Sequence, residues 1–91
     1  GDIRGAIADY TRTIELNPKD ATAYNNRALA RADLKDFKGA MRDFTRATIA
    51  NPNFADAYYN RGVIANHLGD ASGSKADLEM AAQLYRKQGL T

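Results

Sequence analysis

The stretch Ala-Tyr-Asn-Asn-Arg-Ala at residues 23–28 decides the fold, because Ala-Tyr-Tyr-Asn-Arg-Gly follows 34 positions later, at residues 57–62. Shifting the chain by 34 positions aligns 57 residue pairs, of which 18 are identical. We call residues at equivalent positions of successive repeats a column. Further columns contain Asn-Pro, Asp or Gly: Asn17-Pro18 and Asn51-Pro52; Asp2, Asp36 and Asp70; Gly5, Gly39 and Gly73; Asp9, Asp43 and Asp77. A 34-residue period is the length of a helix–turn–helix repeat.

The repeat predicts five helices, over residues 2–16, 21–34, 36–50, 55–68 and 71–87. The first carries one apolar stripe, with Ile3, Ala6, Ile7, Tyr10 and Ile14 at helical spacing. Each Asn-Pro ends a helix, because the residue before proline avoids the helical conformation. We expect Asp2, Asp20, Asp36 and Asp70 to cap helix N-termini, and Gly89 to follow the last helix in the left-handed conformation. Leu84, Tyr85 and Leu90 are expected to fold back on the last repeat.

These residues resemble the tetratricopeptide repeat family, and in particular its Asn-Arg-Gly type of repeat. The family pattern is matched by Tyr24, Ala28, Ala40, Phe44, Ala47 and Pro52, then by Tyr58, Gly62, Leu78 and Ala81, while Ser74 and Arg86 depart from it. The resemblance implies an all-α fold of antiparallel helix–turn–helix repeats stacked as a right-handed superhelix. We expect about two and a half repeats in one array: a half repeat at 1–20 and full repeats at 21–54 and 55–88.

The same resemblance implies a scaffold for protein–protein interaction that binds a peptide or a partner surface in a concave groove and performs no catalysis. In the family the first helix of each repeat lines this groove. Carried over by position, the binding residues are Asn25, Asn26, Leu29, Tyr59, Asn60, Val63 and His67, with Thr22, Asp33 and Asp56 beside them. An Asn amide can donate to and accept from a peptide backbone. The alternative interpretation is that these are solvated helix residues.

Two further interpretations concern the partner. Family members that bind chaperone tails have a carboxylate clamp, in which basic residues bind the C-terminal carboxylate of the tail. The matching positions here hold Asp56 and Asn60, which argues against such a clamp. The given sequence begins halfway through a repeat, so we expect the helices at its two ends to be exposed. The alternative function is therefore a self-assembly module, a homo-oligomer that stacks or swaps helices between chains.

The column of Arg27 and Arg61 replaces an apolar residue of the usual family pattern. A buried arginine needs a partner, because an unpaired buried charge is costly. The Asp9, Asp43 and Asp77 column supplies one, which predicts a ladder of ion pairs between helices. The alternative is that both arginines project toward a ligand.

Composition argues against several other classes of protein. With 44% hydrophobic and 26% charged residues, the 91-residue chain is a small globular domain. It has no Cys, which excludes disulfides and thiolate chemistry and favours a reducing, cytoplasmic location. His67, Ser72 and Ser74 form no recognisable catalytic arrangement, and we expect no cofactor or metal site. A net charge of +2 with scattered Lys and Arg indicates no nucleic-acid partner, and the sequence contains no membrane-spanning stretch.

Overall fold

The computed structural model describes residues 2–89, and five helices follow one another within this range. Their bounds are α1 Ile3–Leu16, α2 Ala21–Asp33, α3 Phe37–Ala50, α4 Ala55–His67 and α5 Ala71–Lys87. All five helices were predicted, with ends that differ by at most one residue. The differences arise because Asp2 and Asp36 are N-caps and Leu34 and Leu68 are C-caps, just outside the helices that the sequence had assigned them to.

The N-terminus of a helix leaves backbone N–H groups without partners, and an aspartate satisfies one of them at four of the five helices. Asp20 accepts from the Ala23 N–H, Asp36 from the Gly39 N–H and Asp70 from the Gly73 N–H. Asp2 accepts from the Arg4 N–H. The predicted caps are confirmed, whereas Phe54 precedes α4 without a side-chain cap.

The Gly39 and Gly73 positions are explained by these caps. A Cβ atom at either glycine would collide with the capping carboxylate, of Asp36 or Asp70 respectively. At these two caps the glycine leaves room for the carboxylate in the position that it adopts, whereas the Asp20 cap accommodates the Cβ of Ala23.

Short turns separate the helices and make consecutive helices antiparallel neighbours. α1 and α3 end at the residue before Asn17 and Asn51, each followed by proline. The other turns reach the left-handed conformation, at Lys35 with φ 66° and at Gly69 with φ 86°. Gly89 also has a positive φ, of 75°, as predicted.

Small residues at the contact bring the helices close together. Ala28 of α2 and Ala40 of α3 are fully buried with Phe44, and Ala32 and Ile64 pack against them. A second cluster holds Ile14, Ala23, Tyr24, Ala47 and Ala57, with Phe54 packed against it. Both clusters join helices of different repeats, so the core runs continuously along the array.

The C-terminal helix continues past the point where α3 stops. Arg86 occupies the position of Pro52, and without a proline α5 runs on to Lys87. Leu84 is buried and Tyr85 half-buried as part of the continuous helix α5, so they pack on the last repeat without the chain folding back, whereas Leu90 lies outside the described residues. Between Asp2 and Gly89, no helix is long and apolar enough to cross a bilayer.

Candidate binding surface

Helices α2 and α4 are the first helices of the two full repeats, and they lie side by side. The Asn60 Nδ2 group donates to Asn25 Oδ1 across this contact, at 3.2 Å. Asn25 is buried, so its amide joins the two helices and is not presented at the surface. Asn26 and Asn60 are half-buried and keep part of their surface accessible.

Exposed apolar side chains follow the same two helices. Leu29, Val63 and Tyr59 are 41%, 44% and 49% exposed. Tyr59, Val63 and His67 are four residues apart in turn, which places them on one face of α4. Leu29 lies one period before Val63. We call the set of Leu29, Tyr59, Val63 and His67 the α2/α4 surface.

The His67 ring is held in place by an aromatic contact. Its centroid lies 4.4 Å from that of Phe37, the first residue of α3, with the two planes inclined by 50°. His67 is otherwise exposed. The imidazole therefore presents an aromatic and polar group at the C-terminal end of α4.

Carboxylates lie at both ends of this region. Asp33 is exposed at the end of α2 and Asp56 is exposed in the first turn of α4. The Tyr85 hydroxyl of α5 donates to Asp56 Oδ1. Burial, followed by this hydrogen bond, raises the pKa of Tyr85 to about 12. Tyr85 therefore remains a neutral donor at physiological pH and orients the Asp56 carboxylate.

Beneath the surface, Arg27 of α2 forms a bidentate pair with Asp43 of α3. The Nε and Nη2 groups donate to the two carboxylate oxygens at 2.9 and 2.8 Å, and both residues are buried. Arg31 donates to the same carboxylate at 2.8 Å. The hydrogen bonds with Asp43 raise the pKa of Arg27 above its ordinary value, although burial acts in the opposite direction.

Arg61 of α4 repeats this arrangement with Asp77 of α5, at 2.8 and 2.7 Å. Its guanidinium carbon lies 5.5 Å from the centre of the Tyr58 ring, as that of Arg27 lies 5.8 Å from the Tyr24 ring. Within residues 2–89, every buried side-chain nitrogen and oxygen has a partner. The ladder of ion pairs is therefore present, and both arginines are engaged inside the fold.

Four polar contacts of the arginines were not predicted from the sequence. Arg31 is the second arginine on Asp43, but the equivalent position one period later holds Ala65, so no column marks it. Thr11 accepts from Arg27 Nη1 at 3.1 Å, and Thr45 and Thr48 accept from Arg61 Nη1 at 3.4 Å. The identity of Thr11 and Thr45, one period apart, was the available signal for the threonine contacts.

Sequence models of one family match the chain along most of its length. One, described as "TPR repeat", matches residues 1–35, and another, described as "Tetratricopeptide repeat", matches residues 36–89. No curated protein matches the chain at a significant level.

Solved structures with the same arrangement of helices include three domains at 30% identity or more. The second TPR of Spaghetti (RPAP3), bound to the HSP90 peptide SRMEEVD, has a TM-score of 0.89 and 30% identity, over 92% of this chain and 78% of that one. The TPR2B domain of yeast Sti1, in a complex with pHsp70, has a TM-score of 0.91 and 30% identity, over 94% of this chain and 69% of that one. The TPR domain of Arabidopsis OM64 has a TM-score of 0.89 and 33% identity, over 93% of this chain and 70% of that one.

Proposed function

The chain belongs to the tetratricopeptide repeat family, and from this premise we propose that it is a non-catalytic scaffold whose α2/α4 surface binds a peptide or a partner surface. The observation that supports this most strongly is the exposure of Leu29, Tyr59 and Val63 on two adjacent helices whose other faces are packed. Apolar groups that stay exposed together commonly mark an interaction site. The complex of the similar Spaghetti domain with the HSP90 peptide SRMEEVD agrees with a peptide ligand.

The chemistry of the surface suggests what kind of peptide it takes. Leu29, Tyr59 and Val63 offer apolar contact, while the amides of Asn26 and Asn60 can pair with a peptide backbone. Asp33 and Asp56 make its two ends acidic. The peptide SRMEEVD named for the Spaghetti domain contains three carboxylate side chains. We propose that this chain prefers a segment with an apolar anchor and few acidic residues, since like charges repel.

The test is selection from a library of displayed random peptides on the chain, followed by titration of an enriched peptide. Tyr59→Ala and Val63→Ala should each weaken its binding, by about tenfold, because side chains at the centre of an interface contribute most of the affinity. Met80→Ala is the matched control, since Met80 is similarly exposed and apolar but lies on α5.

Equal binding by Tyr59→Ala and the unsubstituted chain would remove the surface from consideration, provided that circular dichroism shows both to be folded. SRMEEVD serves as the second probe. We expect it to bind more weakly than the enriched peptide, and tighter binding would refute the proposed preference against acidic segments while leaving the binding surface itself in place.

Self-association is the second proposed function, favoured by the apolar stripe of α1, which is only half-buried among residues 2–89. Light scattering over a range of concentrations tests it, because a mass that stays monomeric excludes a homo-oligomer. We also propose a reducing compartment such as the cytoplasm, because the chain has no cysteine.

A further inference from the structure

An open cavity of about 540 Å³ lies beside Tyr24, away from the α2/α4 surface. Pro18 and Lys19 line it from the turn between α1 and α2. The rest of the lining comes from the second half of α3: Arg46, Ile49 and Ala50. Tyr24 and Leu29 are five positions apart, which places them on different faces of α2. We call this space the Tyr24 cavity, and it shares no residue with the α2/α4 surface.

A small residue at the end of α3 accounts for the open space. Tyr24 and Ala50 belong to one repeat, and Tyr58 and Leu84 hold the same two positions one period later. Leu84 is 7% exposed, so this position of the repeat can bury a leucine side chain. Ala50 ends at its Cβ atom and leaves the corresponding volume unfilled. The equivalence indicates that a leucine, or an apolar side chain of similar size, fits into the Tyr24 cavity.

Two exposed cations, Lys19 and Arg46, line the same cavity. Neither takes part in an ion pair formed within residues 2–89, and the lining contains no carboxylate. The carboxylate next to Lys19 is that of Asp20, which caps α2. One period later the positions of the two cations hold Asn53 and Met80, so the repeat does not require the charges. The Tyr24 cavity therefore combines an apolar recess with positive charge, the opposite of the carboxylates beside the α2/α4 surface.

Ile49 continues the apolar lining of the cavity toward solvent. It is 74% exposed, and Gln83 holds its position one period later. A partner with an apolar side chain can contact Ile49 and fill the recess, while carboxylates beside that side chain pair with the cations. Charge complementarity therefore favours an acidic partner. The recess favours a peptide over a flat lipid surface, which would contact Ile49 without filling the space above Ala50.

We propose that the Tyr24 cavity binds an acidic peptide segment of a partner protein, with a leucine-sized side chain between Tyr24 and Ala50 and with flanking carboxylates paired to Lys19 and Arg46. The site is distinct from the α2/α4 surface and has the opposite charge preference. It does not depend on the function proposed above, because neither Tyr59 nor any other residue of that surface takes part in it.

The probe is a fluorescein-labelled peptide, Ser-Glu-Asp-Leu-Asp-Glu-Ser, titrated with the chain and followed by fluorescence anisotropy. We expect saturable binding that Lys19→Gln and Arg46→Gln each weaken about fivefold, as for exposed ion pairs. Lys38→Gln is the matched control, because it removes an exposed cation from the same helix about 12 Å before Arg46. A peptide with amides in place of its four carboxylates should bind Arg46→Gln and the unsubstituted chain alike, since the charge contact is then already absent.

A second pair of changes tests the recess without altering any charge. Ala50→Leu places in the chain the residue that the next repeat already has at this position, and it should weaken binding at least tenfold because its side chain fills the cavity. Replacing the leucine of the peptide by alanine should weaken binding by a similar factor, since the apolar anchor is lost. Circular dichroism checks that Ala50→Leu is folded, and the peptide change tests the recess independently of that result.

The position of the bound peptide can be measured directly. A nitroxide at the N-terminus of the peptide should broaden the amide resonances of residues 18–24 and 46–50 and leave those of residues 59–67 sharp. Tyr59→Ala should bind the acidic peptide as the unsubstituted chain does. The same variant tests the α2/α4 surface with its own enriched peptide, so the two proposals can fail separately.

Four results would overturn the proposal. The first is no saturable binding up to about 1 mM peptide. The second is unchanged binding by folded Ala50→Leu, and the third is an Arg46→Gln effect no larger than that of Lys38→Gln. The fourth is sedimentation of the chain with phosphatidylserine vesicles that Arg46→Gln abolishes and the peptide does not inhibit, because the cations would then serve a lipid surface.

Discussion

The central helix pair, α2 and α3, and the C-terminal pair, α4 and α5, have closely similar sequences but differ in burial. Phe44 of α3 is 0% exposed, whereas Leu78, its equivalent on α5, is 37% exposed. Within residues 2–89, the central pair has a neighbour on each side, α1 and α4, while the C-terminal pair packs against α3 and also touches α2. The contribution of a repeat position to stability is therefore set by how many neighbours cover it as well as by its residue type.

The largest expected difference between the pairs is at this apolar position. Phe44→Ala should lower the free energy of unfolding by about 3–5 kcal/mol, because it leaves a cavity inside a fully packed cluster. Leu78→Ala should lower it by about 1–2 kcal/mol, since solvent already reaches this side chain. Urea unfolding followed by circular dichroism measures both, and similar losses would contradict the comparison.

Substitutions in the ion pairs should also cost more unfolding free energy in the central pair than in the C-terminal pair, but with smaller losses than at the apolar position. Asp43→Asn weakens the contacts of both Arg27 and Arg31 in a buried site, and we expect a loss of about 3 kcal/mol. Asp77→Asn affects Arg61 alone, which is partly exposed, and should cost about 1–2 kcal/mol. The same unfolding experiment applies. A larger loss for Asp77→Asn would mean that the second arginine on Asp43 contributes nothing.

The smallest effect is expected at the turn inside each pair, where Lys35 and Gly69 are equivalent. Both have a positive φ, which is unfavourable for lysine and costs glycine little. Lys35→Gly should therefore stabilise the chain by up to about 1 kcal/mol, partly offset by the greater freedom of glycine in the unfolded state. Gly69→Lys should destabilise it by a similar amount. Melting temperatures that move in the same direction for both changes would show that φ is not the cause.

Interactions that recur with the period were predictable from the sequence, because a column of identical residues reveals them. The helix bounds follow from Asn-Pro and from the Asp and Gly pattern of the caps. The pairing of Arg27 and Arg61 with aspartate followed from the cost of a buried charge, and the structure confirms it. The family pattern gave the positions of α2 and α4 that face outward, since the repeat fixes which side of each helix is packed.

Interactions that occur once were not predictable in this way. Arg31 reaches Asp43, and Tyr85 reaches Asp56, without any counterpart in the other pair. Asn25 shows the same limit at the candidate site. Its position in the repeat predicted a residue of the groove surface. Instead Asn25 is buried and accepts a hydrogen bond from Asn60, whereas Tyr59, at the matching position of α4, is exposed. Such contacts depend on the distance between two particular side chains, which periodicity does not report.

The threonine contacts of the two arginines have a consequence for how the array unfolds. Arg27 bonds to α3 through Asp43 and to α1 through Thr11, and Arg61 connects α4, α5 and α3 in the same manner. Each guanidinium thus joins three helices, and separating α1 from the array leaves a hydrogen-bond donor of Arg27 without its partner. We therefore expect α1 to unfold together with the rest of the array, in one cooperative transition.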